Sequence, residues 1–289
     1  MQWRGRRGSS NIEDRRGRRG GAGLAGGVGG VGVIVVVIIG WFLGIDLTPL
    51  LQGGGGGGGG YSQGTGETRP LDETERQEGE FVSVVLADTE EVWTNVFDAQ
   101  VGEPYDPPVL VLYSQVTQSP CGGASGATGP FYCPSDNRIY LDTAFFTTLE
   151  QRLGAGGDFA AAYVVAHEVA HHVQDELGIL GQANTVRAQS SQEESNAISV
   201  RIELQADCLS GIWARQAQAQ FGTLDTGDLE EAINAARQIG DDRLQEQAGQ
   251  VPMPHTFTHG TSEQRARWFQ TGFESGEIPA CDTFSAQRL

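Results

Sequence analysis

The residues with the clearest chemical potential lie together in the stretch YVVAHEVAHHVQ, residues 163–174. His167 and His171 are four residues apart, so on a helix of about 3.6 residues per turn both imidazoles project from one face. Two imidazoles at this spacing can bind one zinc ion, which would make a bound water acidic enough to lose a proton near neutral pH. We therefore predict His167 and His171 as zinc ligands and Glu168 as the catalytic base that takes that proton.

The surroundings of this H-E-x-x-H motif favour a real site over a chance match. The motif lies in an apolar helical stretch that begins near Asp158, the expected N-cap, and ends near Gly178. The chain has 5 histidines in all, and three of them are here. The alternative is a polar helix face that carries two histidines by accident. His172 projects about 100° away from His171 and is therefore not predicted to bind the metal.

A catalytic zinc site needs a third protein ligand and one open position. The next long helical stretch contains SVRIELQADCLSGIWA, residues 199–214, in which Glu203 and Asp207 share a face. We predict that Glu203 binds zinc and that Asp207 accepts a hydrogen bond from the free ring nitrogen of a ligand histidine. Glu193 and Glu194 are rival ligands in a more polar part of the same helix.

The elements that must hold these residues are mainly helical. Short β-prone runs occupy residues 109–113 and 137–141, and a Gly-rich loop with two cysteines lies between them. The helices are predicted at residues 81–100, 143–153, 158–178, 192–220, 228–239 and 262–272. This order of elements predicts an α+β domain with a small sheet, covering residues 81–289.

The N-terminal part of the chain predicts a membrane anchor. Residues 20–45 carry no charge and are long enough to span a bilayer, although a signal peptide is the rival interpretation. The stretch is preceded by a basic segment, residues 1–19, and followed by a Gly-rich and acidic linker, residues 46–80. The positive-inside rule then places the N-terminus in the cytoplasm and the domain in the periplasm or outside the cell.

The net charge, the glycine pairs and the cysteines indicate which partners and which compartment suit the protein. A formal net charge of −18 argues against a nucleic-acid partner, because phosphates would repel the domain. Glycine pairs at helical spacing in the anchor, such as Gly23 with Gly27, Gly26 with Gly30 and Gly40 with Gly44, allow a homodimer. Four cysteines without a Cys-x-x-Cys pair suit two disulfides in an oxidising compartment.

Several stretches resemble the bacterial neutral zinc metallopeptidases of the YpfJ type, within the wider gluzincin pattern of H-E-x-x-H followed by E-x-x-x-D. The similar stretches are CGGASGATGPFYCPSDNRIYLD (121–142), AHEVAHHVQ (166–174), ELQADCLSGIWA (203–214) and THGTSEQRARWFQTGF (258–273). Ala170 departs from the glycine expected before the second histidine, but it touches no ligand. The resemblance implies a zincin-like metallopeptidase domain with one catalytic zinc ion.

The resemblance also implies roles for residues outside the two helices. The segment from Phe131 to Leu141 would form a cleft rim that pairs with an extended substrate, the alternative being an ordinary edge strand. His259, or Tyr140, would stabilise the oxyanion, the alternative for His259 being a loop or capping role. Four cysteines allow three pairings. Our hypothesis is that Cys121 pairs with Cys133, which would stiffen the rim, and that Cys208 pairs with Cys281.

The function expected from these features is a membrane-anchored zinc endopeptidase that acts on a peptide or protein substrate. One alternative is a zinc-bound scaffold without catalysis, which the presence of a general base at Glu168 argues against, because a purely structural zinc site does not need one. Another is a zinc amidase that acts on cell-wall peptides, which the sequence does not separate from a peptidase.

Overall fold

Helices and two small sheets make up the part of the chain described by this computed structural model, residues 1–17, 69–125 and 129–289. The helices are α1 (Glu73–Val96), α2 (Ala144–Gln151), α3 (Asp158–Glu176), α4 (Ile179–Arg187), α5 (Gln192–Phe221), α6 (Asp228–Gln238), α7 (Asp241–Gln247) and α8 (Ser262–Ser275). The strands are β1 (Ile12–Asp14), β2 (Val109–Tyr113), β3 (Val116–Ser119), β4 (Gly122–Ser125), β5 (Phe131–Cys133) and β6 (Arg138–Asp142). The predicted α+β class, mainly helical with a small sheet, is confirmed.

The larger sheet has the strand order β1-β2-β6-β5 and places β5 at one edge. Strands β1, β2 and β6 run parallel, whereas β5 pairs antiparallel with β6. The run VLVLY of β2 is buried almost throughout, as expected for a parallel strand that is covered on both faces. Strands β3 and β4 form a separate antiparallel hairpin.

The first residues of the chain belong to this domain, which differs from the separate basic segment predicted for residues 1–19. Ile12 of β1 lies opposite Leu110 of β2. Trp3 is buried and packs edge-on against Phe81, with 5.5 Å between the ring centroids. Sequence reasoning missed β1 because a three-residue strand whose partner lies far along the chain carries no local pattern.

The chain leaves the described part after Gly17 and returns to it at Arg69, and these two residues are neighbours in space. The backbone N–H of Arg69 donates to the carbonyl oxygen of Gly17 at 3.0 Å. Two residues in direct contact lie on the same side of any membrane. The predicted topology, in which a single span separates a cytoplasmic N-terminus from an external domain, stays a prediction and has to be reconciled with this contact.

The predicted anchor at residues 20–45, its glycine pairs and the first part of the linker lie outside the described residues. Among the helices that are described, none is both long and apolar enough to cross a membrane. The last part of the predicted linker is helical, because α1 begins at Glu73 rather than near Phe81. Asp72 starts this helix with a capping box, in which its side chain accepts from the backbone of Glu75 while the Glu75 side chain accepts from the backbone of Asp72.

The helix that carries the H-E-x-x-H motif, α3, begins one residue earlier than an N-cap at Asp158 predicts. Gly157 is the N-cap, with a φ of 116° that a side chain would strain, and Asp158 is the first helical residue. The carboxylate of Asp158 still lies in the first turn, where a negative charge is favourable. The helix ends at Glu176, close to the predicted end.

Close packing of three helices positions the candidate site. Helix α5 packs against both α3 and α8. It approaches α8 so closely that a Cβ atom on Gly272 would come within 1.8 Å of the carbonyl oxygen of Cys208. A disulfide joins Cys208 to Cys281, with 5.5 Å between the Cα atoms, and a second joins Cys121 to Cys133 beside β5. Both bonds have the pairing proposed from the sequence.

Candidate metal centre

The three residues predicted as zinc ligands bring their polar atoms together between α3 and α5. Nε2 of His167 lies 3.1 Å from Oε2 of Glu203, and Nε2 of His171 lies 3.6 Å from Oε1 of the same carboxylate. One ligand atom from each of these residues lies within 4.8 Å of the others. The i, i+4 spacing on α3 and the packing of α5 against it produce this arrangement.

These separations fit a zinc ion. Two ligands about 2.0–2.1 Å from a tetrahedral ion are about 3.3 Å apart, close to both measured distances. Two imidazoles and one carboxylate also form a donor set typical of catalytic zinc, which leaves one position for water or substrate. The pKa of Glu203 would be raised by burial, but His171 and His167 lower it well below its usual value, so the carboxylate is ionised and able to bind a cation.

Asp207 lies where the sequence predicted, against the other ring nitrogen of His167. The distance from Nδ1 of His167 to Oδ1 of Asp207 is 3.0 Å, although the N–H direction is poorly aligned for a hydrogen bond. Burial would lower the pKa of His167, but Asp207 and Glu203 outweigh it and raise the pKa to about 9. Asp207 thus provides a fixed negative charge that orients this imidazole with Nε2 towards Glu203.

Asp207 is itself held by two residues that the sequence analysis did not identify. Arg265 on α8 donates Nε to Oδ2 and Nη2 to Oδ1, at 2.9 and 3.0 Å. The hydroxyl of Tyr163 donates to Oδ1 at 2.5 Å. All three side chains are buried, so burial would raise the pKa of Asp207, but Arg265 and His167 lower it. Nothing in the stretch SEQRARW showed that one of its arginines would pair with Asp207.

The ring of His171 is oriented by its own helix. Nδ1 lies 2.9 Å from Oε1 of Gln174, three residues further along α3. Gln174 is fully buried and stands inside the recognised motif, yet sequence reasoning assigned it no role. Spacing could have revealed it, because residues i and i+3 are neighbours on a helix surface.

Glu168 lies beside the three candidate ligands in a buried setting. The residue is 8% exposed, and burial raises the pKa of its carboxyl group. His171 and His167 act in the opposite direction through their charge. A carboxyl group with a raised pKa beside a cation site suits a residue that must accept a proton and release it again.

His259 faces the same centre from the loop between α7 and α8. Its Nδ1 lies 3.1 Å from Oδ1 of Asp241, and the other oxygen of Asp241 accepts from the backbone N–H groups of residues 258, 259 and 260. Burial would lower the pKa of His259, but the charge of Asp241 raises it, and Glu203 contributes in the same direction. Asp241 thus favours the protonated form of His259, and the charge interaction of this ring with Glu203 puts it near the metal centre, where an oxyanion stabiliser would have to lie.

Tyr140, the other residue considered for the oxyanion, is not brought to the centre. Its hydroxyl donates to Asp136 at 2.7 Å, and its ring stacks on Phe131 with 5.1 Å between centroids. It belongs to a small cluster on the face of the sheet formed with Val111 and Cys133. The prediction for Tyr140 fails because the period-two alternation of β6 turns this side chain away from α3.

The segment predicted as a cleft rim, Phe131 to Leu141, contains the edge strand β5, which contacts α3, and most of the inner strand β6. His172 makes this connection, since its Nε2 lies 2.7 Å from the carbonyl oxygen of Asp106 and its Nδ1 lies 3.2 Å from the hydroxyl of Tyr132. Tyr132 in turn donates to Asp175 at 2.9 Å. His172 is buried and off the ligand face as predicted, but it anchors α3 to the rim rather than facing solvent.

The rival ligands lie far from the centre on α5. Glu193 and Glu194 are exposed in the first turn, and Glu194 forms a capping box with Ser191. Another acidic cluster is formed by Asp158, Asp228 and Glu231. The α-amino group of Met1 lies 2.5 Å from Asp158 and 3.4 Å from Asp228, so this cluster already holds a cationic group.

Comparisons with known proteins agree with this geometry. A family described as "Putative neutral zinc metallopeptidase" matches residues 1–284. "Uncharacterized protein YpfJ" of Escherichia coli K12 is 45% identical over 98% of this chain and 99% of its own length. "Uncharacterized protein Rv2575" of Mycobacterium tuberculosis H37Rv is 44% identical over 64% of this chain and 65% of its own length. No solved structure matches significantly. The chain therefore belongs to the neutral zinc metallopeptidase family, as its motifs indicated.

Proposed function

We propose that this protein is a zinc-dependent endopeptidase whose centre is formed by His167, His171 and Glu203, with Glu168 as the general base. The observation that carries the proposal is the convergence of three metal-binding side chains beside a buried carboxyl group. A purely structural zinc site closes all four positions with protein ligands and needs no general base. With three protein ligands a tetrahedral ion would keep one position open, and the proximity of Glu168 to His167 and His171 supports its role as the base there.

Each residue of the centre then has a separate role in peptide hydrolysis. A bound zinc ion would supply Lewis acidity for the carbonyl group and lower the pKa of water in the site. Glu168 accepts the proton from that water and passes it to the leaving nitrogen. His259, held by Asp241, donates a hydrogen bond to the oxygen that gains negative charge. Strand β5 has no second neighbouring strand in the described part of the chain, so its outer edge could pair with an extended substrate.

The test compares full-length protein with a Glu168→Gln variant at equal zinc content, on a mixed peptide library analysed by mass spectrometry. Loss of a general base typically lowers the rate by about 10²–10⁴-fold. A Glu193→Gln variant is a matched control, because this exposed carboxylate is on α5 but away from the centre. We expect the parent and the control to cleave internal peptide bonds and the Glu168→Gln variant to be inactive.

Other outcomes would favour the alternative functions. Zinc binding without cleavage of any peptide by the parent would support a non-catalytic scaffold. Cleavage restricted to cell-wall peptides would support an amidase. Equal activity of the parent and the Glu168→Gln variant would contradict the assignment of the base.

We also propose that the domain works in an oxidising compartment, the periplasm or the cell exterior. Two disulfides, Cys121–Cys133 and Cys208–Cys281, support this, because such bonds persist mainly outside the reducing cytoplasm. Attachment to a membrane through residues 20–45 is part of this proposal and must leave residues 1–17 on the same side as residues 69–289. Purification from membrane and soluble fractions, with mapping of non-reduced peptides, tests both points.

A further inference from the structure

We infer that two buried glutamines, Gln174 and Gln205, form a hydrogen-bonded relay that fixes the tautomer of His171 and links it to the Cys208–Cys281 disulfide. The relay runs from Nδ1 of His171 to Oε1 of Gln174, from Nε2 of Gln174 to Oε1 of Gln205, and from Nε2 of Gln205 to the carbonyl oxygen of Cys281. The three distances are 2.9, 3.0 and 3.0 Å. The inference rests on the proposed metal centre and adds to it two positioning residues and a link to the disulfide.

The direction of the relay follows from its far end. The carbonyl oxygen of Cys281 can only accept a hydrogen bond, so Gln205 must present its NH₂ group there and its oxygen towards Gln174. Gln174 must then present its own NH₂ group to Gln205. The second N–H of that group donates to the carbonyl oxygen of Ile202 at 2.8 Å, which is another acceptor without a proton.

This leaves only the oxygen of Gln174 to face His171. Because that oxygen can only accept, Nδ1 of His171 must carry a proton, and in the neutral ring the lone pair is then on Nε2, which faces Glu203. A histidine binds zinc through such an unprotonated nitrogen, and a fixed partner on the other nitrogen sets both tautomer and ring angle. Two backbone carbonyls thus decide which nitrogen of His171 is available to a metal.

Burial makes the arrangement obligatory. Gln174 is 0% exposed, Gln205 is 5% exposed and Cys281 is 0% exposed. Turning either amide around would place carbonyl oxygens against each other where solvent has little access to compensate, and an unsatisfied buried polar group is costly. His167 is oriented differently, by the charge of Asp207, so the two ligands are controlled by separate devices.

The disulfide holds the far end in place. Cys281 ends the short 3₁₀ turn Ile278–Cys281, which is covalently attached to α5 through Cys208. Gln205 lies three residues before Cys208 on the same helix. Without the bond, the carbonyl of Cys281 would no longer be fixed opposite Gln205, and the relay would lose its terminal acceptor.

The experiment measures zinc affinity of the full-length protein by competition with a chelator, and the ¹⁵N shifts of His171 in the metal-free state. In the Gln174→Leu variant we expect zinc affinity to fall by about 10–100-fold, the usual effect of removing a residue that orients a ligand. Gln174→Glu keeps an acceptor oxygen for Nδ1 but loses the N–H donors to Ile202 and Gln205, so its zinc affinity should lie between those of Gln174→Leu and the parent. The ¹⁵N spectrum should change from protonated Nδ1 to a mixture of tautomers only in Gln174→Leu.

The contribution of the Cys208–Cys281 disulfide can be compared with that of the other disulfide, Cys121–Cys133, which serves as a matched control. Replacing Cys208 and Cys281 by serine should weaken zinc binding by a factor of about two to ten, less than Gln174→Leu because Ile202 still holds Gln174. Replacing Cys121 and Cys133 by serine removes the other disulfide and should leave zinc affinity within about twofold.

Two results would overturn the relay. One is equal zinc affinity of Gln174→Leu, Gln174→Glu and the parent. The other is an equal loss of affinity in both cysteine double variants, which would indicate general loosening of the domain. A parent that binds no zinc at all would instead refute the proposed metal centre, so the two failures are distinguishable.

Discussion

Removal of Arg265 should destabilise the protein strongly, because this residue neutralises the carboxylate behind His167. Arg265 is 2% exposed and Asp207 is 0% exposed. The guanidinium donates two hydrogen bonds to Asp207, one to Tyr163 and one to the carbonyl oxygen of Ile239. An Arg265→Met variant keeps much of the side-chain volume but removes all four bonds and the positive charge.

The expected loss of stability depends on which groups still neutralise Asp207 after Arg265 is removed. Breaking a buried ion pair by removing one partner typically costs about 3–5 kcal/mol. His167, whose pKa is raised to about 9, supplies some positive charge to Asp207 near neutral pH in the metal-free protein, as does the hydroxyl of Tyr163. We therefore expect a loss near the lower limit, about 3 kcal/mol, in the free energy of unfolding.

Urea unfolding of the metal-free protein, with both disulfides intact, measures this loss. An Arg243→Met variant is the matched control, because Arg243 is half-exposed and should contribute less than about 0.5 kcal/mol. The Asp207→Asn, Arg265→Met double variant should lose less free energy of unfolding than the two single variants lose together. In the double variant both members of the ion pair are gone, so neither Asp207 nor Arg265 remains as an unpaired buried charge. A loss below about 1 kcal/mol for Arg265→Met, or strictly additive losses, would refute the ion-pair reasoning.

Three further outcomes can be checked independently. Gly272→Ala should destabilise the protein by about 1–3 kcal/mol, because the methyl group would meet the backbone of Cys208, whereas Gly181→Ala, on an open helix surface, should be neutral or stabilising. Burial would raise the pKa of Asp241, but His259 and backbone N–H groups lower it below 3.8. The ionised carboxylate therefore stabilises the folded protein above pH 3.8, and this contribution is lost as the pH falls through the folded-state pKa. The stability gap between the parent and Asp241→Asn should therefore narrow below pH 3.8, and a gap that widens there would contradict this assignment. In intact cells an impermeant maleimide should label Ser10→Cys and Gln192→Cys alike, and labelling of only one would contradict the contact between Gly17 and Arg69.

Local sequence patterns were sufficient for the parts of the site that depend on one helix. The i, i+4 spacing of His167 and His171 and the same spacing of Glu203 and Asp207 gave the correct faces, because helical geometry alone fixes them. The apolar runs at residues 109–113 and 137–141 likewise gave both inner strands of the sheet.

The parts that could not be predicted depend on contacts between distant segments. Arg265 reaches Asp207 only because small residues let α8 approach α5 closely, and no local pattern marks that crossing. Asp241 supports His259 across 18 positions of the chain. Tyr140 was considered on the basis of resemblance, but strand alternation turned it to the other face of the sheet.

The arginines near the N-terminus show a different limit of prediction from sequence. The arginines before residue 20 were assigned by the positive-inside rule, which treats them as free charges near a membrane. In the structure, Arg6 forms an ion pair with Asp88 and Arg16 donates to the carbonyl oxygen of Glu75, so these two charges serve the packing of residues 1–17 against the domain. Charge counting cannot separate the two uses, because both require arginine near the N-terminus.

The most direct test of the central claim is the zinc stoichiometry of the purified full-length protein, measured by mass spectrometry of the metal after dialysis. We expect one zinc ion per chain in the parent and in Glu168→Gln, and none in a His167→Leu, His171→Leu double variant that remains folded. This result would place the metal between α3 and α5, with Glu168 free to act as a base. Full zinc retention by the double-histidine variant, or no zinc in the parent, would contradict the proposed centre.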